Sequence, residues 1–265
     1  MQDASPSPPA QAALSPWPPA RRSSRYIAAL FAWTLFTMLL VLLLNFGPGH
    51  PNTRAVILMG GGLILFWAVI GGVLMLQARD RVRAFVLRLP GHWTLRFVVF
   101  CTILALLEEA VTVTMTNLAP VFGVPVGRAY ITASANYFDV VLFHSVSVFV
   151  PWFAAWAWML SRWDFHPNAV FLLFGITGTL AETLYGGLPH LLEYGMWTFV
   201  YGLMIWLPAY SLPRDRPVRK PPWWLYPLAV FIPLPFMVLM LPWGLAKHAL
   251  HGEIDKHFPP ILPGS

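Results

Sequence analysis

Charge is what this 265-residue chain has least of: Asp, Glu, Lys and Arg together make up 11% of it, against roughly 25% in a soluble globular domain. So few charges cannot cover a water-soluble surface. Cysteine is scarcer still, and the one present, Cys101, lies inside an apolar run, which excludes an intrachain disulfide and a multi-cysteine metal site. Signature motifs are missing too. There is no His-Glu-x-x-His of a zinc protease and no Gly-x-Ser-x-Gly nucleophile turn, the local patterns that those two hydrolase classes need. Gly60-Gly61-Gly62 and Gly71-Gly72 follow no strand and lie among apolar residues, so they read as small residues that let helices approach closely, not as a phosphate loop. No repeat of fixed period is apparent.

What the chain does have is apolar length. It is 57% hydrophobic with mean hydropathy +0.62, and several runs reach the roughly 20 residues that cross about 30 Å of hydrocarbon. The alternating pattern of a membrane β-barrel is absent. The expectation is an all-α polytopic transmembrane bundle of about seven spans (six to eight), near 26–46, 55–77, 97–117, 138–160, 169–186, 190–210 and 225–246. The fifth, short and rich in Gly and Thr, is the weakest, and would be re-entrant in a six-span count. Residues 1–25, rich in Pro, Ser and Ala, are expected to form a disordered tail, 26–246 the membrane domain, and 247–265 a short tail on the far side.

Basic residues orient this scheme. Thirteen of the seventeen Lys and Arg fall on the N-terminal side and four, Arg54, Arg128, Lys247 and Lys256, on the other, so the positive-inside rule places the N-terminus in the cytoplasm and the C-terminus outside. The net charge of +6 is thus topology in short loops and not a nucleic-acid surface. Arg outnumbers Lys fourteen to three, in keeping with a GC-rich bacterium, and a bacterial inner membrane is the default location. The lipid bilayer is the one partner that the composition identifies. Several of the thirteen Trp, among them Trp163, Trp206, Trp223, Trp224 and Trp243, fall near span ends as an aromatic belt. The loop 211–224, rich in Pro and Arg, is placed to touch anionic headgroups.

Against this background the stretch ILALLEEAVTVTM, residues 103–115, stands out. Ionisable groups inside a span cost about 2.5–3.5 kcal/mol each when charged, so they are rare and face the bundle interior. This chain places Glu108 and Glu109 in span three, Asp139 and His144 in span four, Glu182 in span five, and His190 and Glu193 at the start of span six. At 1.5 Å per residue, Glu109, His144, Glu182 and Glu193 all fall in the outer half of the bilayer. Glu109, Thr112 and Thr116 share one helical face, so Glu109 is expected to line a cavity, with Glu108 on its shoulder or bonded to a neighbouring helix. Gly175, Gly178 and Glu182 share a face that lets a neighbour approach, and His190, Glu193, Trp197 and Tyr201 run down one side of span six. Pro151 is placed to kink span four. Asp139 and His190, at the boundary, suit solvated capping.

Three kinds of chemistry fit these residues. In the first, a membrane-embedded hydrolase, Glu109 activates water and His144 orients it, with Glu108, Glu182 and Glu193 as further catalytic candidates. A divalent metal such as zinc or iron could be held by the His and two or three carboxylates. The second is a carrier or channel using the acids as a proton or cation relay. The third is a non-catalytic assembly protein in which they are helix-packing glue. The Glu pair with a downstream His has a partial counterpart in the glutamate-type membrane proteases. Those proteases also carry an Arg, a Phe and an Asn or Asp where this chain has Val113, Val140 and Tyr194, so no role is carried over. Near the C-terminus, His248, His251, Asp255 and His257 read as an amphipathic tail or a metal-binding group outside the membrane.

Overall fold

Proline and histidine set the helix starts. Pro51 and Pro167 open their helices, where the missing N–H has no partner to lose, and His92 and His166 accept from the second helical N–H through their rings. The computed structural model describes residues 17–45 and 50–251. Its seven helical units are α1, Arg21–Leu44; α2, Pro51–Arg88; α3, Trp93–Asn117; α4, Tyr137–His144 continued by Val146–Leu160; α5, Pro167–Gly186; α6, Tyr194–Tyr210; and α7, Leu225–Ala246. Of the described residues 77% are helical and none forms a strand. Among them five helices are long and apolar enough to cross a bilayer, and six if the two bent parts of α4 count as one. The remaining one, α6, has 17 residues, roughly 25 Å, and is sheathed by α1, α2, α3 and α5.

Three expectations change. α1 begins at Arg21, and Trp17 Nε1 donates to Tyr210 O at 2.9 Å, so 17–25 is docked chain and not part of a disordered tail; 1–16, with Lys256, Asp255 and His257, lie outside the described residues. α5 is an unbroken helix because its glycines are filled by α6. A Cβ at Gly175 would meet Thr198 main-chain atoms at 2.8–2.9 Å, and one at Gly178 the Tyr201 ring at 2.2 Å. The break falls instead in α4, where the two parts meet at 46° around Ser145. Pro151 sits inside the straight part, Val146–Leu160. The bend follows a π turn, Val140–His144, in which Ser145 N bonds Val140 O at 2.9 Å, the extra residue per turn that commonly kinks a helix. The carbonyl of Leu142 accepts from Trp243 Nε1 at 3.1 Å, and Trp243 stacks on Phe143 at 9° and 6.3 Å.

The core lies between α4, α5 and α6, where Phe153, Trp156, Phe174, Met204 and Ile205 are fully buried. At one end, seven helix termini meet in a polar platform. Tyr210 donates to Asp80 at 2.6 Å, Asn168 to Ser23 and Ser24 at 3.2 and 3.0 Å, and Arg216 lies 5.1 Å over Trp93. Asp164 takes Arg214 at 2.9 and 3.0 Å and Arg216 at 3.2 Å. Arg219 N bonds Arg162 O at 3.0 Å and Asp164 N bonds Arg219 O at 2.8 Å. Successive helices therefore alternate in direction. Burial lowers the Arg216 pKa to about 10 against the opposing pull of Asp164. Burial, with Arg214 adding to it, holds His166 below the usual histidine value, although Asp164 and the bond to Pro18 act the other way.

Candidate functional site

Height above the platform organises the acids. Glu109 lies 16 residues beyond Trp93, Glu182 15 beyond Pro167 and Ser145 15 before Leu160, which places all three roughly 22–24 Å from the platform end of their helices. Glu108 and Glu109 are both buried, at 4% and 5% exposure. α3 reaches this height packed against α4 and α6, and α5 against α6. Three carboxyls therefore share one layer between four helices.

Two of the acids accept from a hydroxyl and the third interacts with one. Thr112 Oγ1 donates to Glu108 Oε1 at 2.8 Å and the Tyr201 hydroxyl to Glu182 Oε1, while Ser145 of α4 interacts with Glu109. Glu108 interacts electrostatically with Glu109 and Glu182, Glu109 with Glu182, and Tyr201 with all three. Tyr137 lies beside Glu109 and donates to Leu106 O at 3.0 Å. The Tyr201 ring is fixed edge-on by Phe149 and Phe174 at 5.5 and 6.2 Å, against the flat face left by Gly178.

From this layer the polar side chains continue to the surface away from the platform. Glu182 interacts electrostatically with His190 and Glu193. His190 Nδ1 and Glu193 Oε2 are 2.9 Å apart, with side-chain exposures of 27% and 47%, and Trp197 Nε1 donates to the same oxygen at 3.0 Å. The Trp197 ring packs on both His190 and Tyr201, at 5.7 and 6.2 Å. The expected stripe His190, Glu193, Trp197, Tyr201 thus lies along one side of the chain where α6 begins, although Glu193 precedes the first helical residue. His190 is held in the 3₁₀ turn Leu188–Leu191.

The structure rearranges the expected partners. Thr112 bonds Glu108 and not Glu109, since the threonine four residues on reaches back to that carboxylate; Thr116 Oγ1 accepts from Ile131 N at 3.3 Å. Glu108 is therefore a full member of the buried layer, held within its own helix. On α4 the residue that interacts with Glu109 is Ser145, and His144 ends the π turn one residue earlier. Asp139 lies in the first turn of α4, whose cap is Asn136, accepting from Phe138 N at 3.0 Å. Among the described residues no group of three His, Cys, Asp or Glu is placed to hold a metal ion, so the metal-assisted arrangement of His144 with the carboxylates is not assembled. Ser145 and Tyr137 carry no charge and belong to no motif. Comparison with protein families, curated proteins and solved structures finds no match to this chain.

Proposed function

We propose that this protein is a seven-span carrier of a bacterial inner membrane, N-terminus in the cytoplasm and C-terminus outside, whose layer of Glu108, Glu109 and Glu182 takes up and releases protons through the outer surface at His190 and Glu193. The observation that carries this reading is the series of interacting ionisable side chains from half-exposed Glu193 through Glu182 to buried Glu109. Buried acids that repel one another cannot all ionise, because each further charge is desolvated and opposed by the others, so the layer shares its protons as one coupled unit. The hydroxyls of Thr112 and Tyr201, each bonded to an acid, can follow a proton by turning from donor to acceptor. Alternating helices and thirteen cations on the N-terminal side support the orientation.

Hydrolysis fits the same residues less well. A general base must meet a water and a scissile bond, and Glu109 is 5% exposed. Proton exchange requires only neighbours and a route.

Reconstitution into liposomes that enclose a pH-sensitive dye, with a potassium diffusion potential, tests the proposal. Wild-type protein is expected to acidify the lumen. Glu109→Gln and Glu182→Gln should each slow this more than about tenfold, the scale on which a lost proton-transfer group acts, with Tyr201→Phe intermediate. Equal protein incorporation and unchanged elution on gel filtration are the controls for folding. Flux that is indifferent to both Glu substitutions would reduce the acids to packing glue.

A further inference from the structure

On the platform side, one edge carries a basic and aromatic surface that the acid layer does not involve. Arg162, at the end of α4, lays its guanidinium 4.4 Å over the Trp158 ring and donates to Trp158 O and Ser161 Oγ, each at 3.2 Å. Arg219 is paired with it through the backbone, its N–H on Arg162 O, in a short parallel bridge with Trp163. Lys220 follows. The side chains of Arg219 and Lys220 are exposed and form no hydrogen bond or ion pair with any described residue. The nearest acid, Asp164, is already shared between Arg214 and Arg216, and the only other one in the loop, Asp215, is exposed four residues before Arg219.

Apolar rings continue from these cations along the side of the bundle. Trp158 packs on Trp163 at 5.9 Å and on Phe236 of α7 at 6.3 Å. Trp223, 83% exposed, and Trp224 directly follow the two prolines after Lys220, and Phe231 is exposed two turns further on. The loop presents these groups rigidly. Its own main chain is bonded at Arg219, and buried Arg216 donates to Leu160 O at 2.6 Å. A surface with three exposed cations at one level and indoles and phenyl rings beside them matches one chemistry: a negatively charged headgroup with acyl chains attached.

We propose that Arg162, Arg219 and Lys220 hold the phosphate of an anionic phospholipid, with its acyl chains along Trp158 and Phe236, where α4 packs against α7. The lipid would clip the end of α4 to α7, whose Trp243 holds the π turn at the other end of α4.

Native mass spectrometry of the full chain tests this, after exposure to mixed micelles with equal phosphatidylglycerol and phosphatidylcholine. Phosphatidylglycerol should be retained in preference. Arg162→Ala and Arg219→Ala should each lower that retention about fivefold, the worth of one interfacial cation, and the double variant should bring it to the phosphatidylcholine level. The bonds that seat the loop use main-chain atoms of both residues, so the fold is kept; Arg162→Lys with Arg219→Lys should restore most retention, and Arg21→Ala with Arg22→Ala on α1 should leave it unchanged. Equal retention of the two lipids by wild-type protein, or full retention by the double variant, would overturn the assignment. So would displacement of the lipid by millimolar inorganic phosphate, which would mean a site for the free anion.

Discussion

His166 shows how one ring can fix a residue's protonation state. Its Nδ1 accepts from Asn168 N at 3.1 Å, and its Nε2 donates to Pro18 O at 3.2 Å. An imidazole that accepts at one nitrogen and donates at the other is neutral. Burial and Arg214 favour the same state. The folded-state pKa lies below the unfolded value near 6.5, so the unfolded chain binds the proton first as pH falls. Stability from this group is therefore complete above about pH 6.5 and is lost below it. The melting temperature of the purified protein should drop between about pH 7 and pH 5, and His166→Asn, which keeps a cap acceptor but does not titrate, should flatten that drop. A profile identical in the two proteins would remove His166 as its source. At this scale the sequence is a partial guide. Glu108, Glu109 and Glu182 can be picked out because a charge in an apolar run is conspicuous, whereas Ser145 and Tyr137 look ordinary, and helical periodicity assigns Thr112 to the wrong glutamate because i+3 and i+4 neighbours are both in reach.

Elements are more legible than their irregularities. Every helix falls where an apolar run of span length lies, since that length is dictated by the pattern itself. The π turn of α4 and the continuity of α5 are not legible, because both depend on what neighbouring helices supply: Trp243 for the freed carbonyl of Leu142, and Thr198 and Tyr201 for the space at Gly175 and Gly178. Gly60 of α2 and Gly178 of α5 therefore have different duties despite identical chemistry. A Cβ at Gly60 would meet only the end of Met38 at 3.7 Å, whereas one at Gly178 would strike the Tyr201 ring. Gly60→Ala should be neutral or add up to about 1 kcal/mol through helix propensity. Gly178→Ala should cost about 1–3 kcal/mol by overpacking and, by pushing Tyr201 off Glu182, should lower proton flux as Tyr201→Phe does. Thermal unfolding of the two variants in detergent compares them directly; equal effects would mean that α5 and α6 yield around the added methyl.

The whole molecule is asymmetric between its two ends. The platform end gathers Arg21, Arg22, Arg25, Arg79, Arg81, Arg88, Arg219 and Lys220, all exposed, around a framework of ion pairs and caps. The other end holds the 3₁₀ turn with His190, the half-exposed Glu193 and, at 84% exposure, Leu192. If the bundle spans the bilayer with the platform in the cytoplasm, Asp215 in the loop 211–224 faces the cytoplasm and Leu192, between α5 and α6, faces outside. The native cysteine is fully buried at 0% exposure, so it should stay silent toward a bulky, membrane-impermeant maleimide and need not be replaced. Leu192→Cys should then label in intact cells, and Asp215→Cys only after the membrane is opened. The reverse pattern would invert the orientation and turn the proton entrance at His190 and Glu193 toward the cytoplasm. Labelling of both in intact cells would break the alternation of α6 across the bilayer, and with it the depth argument that brings the three acids to one layer beneath the outer surface.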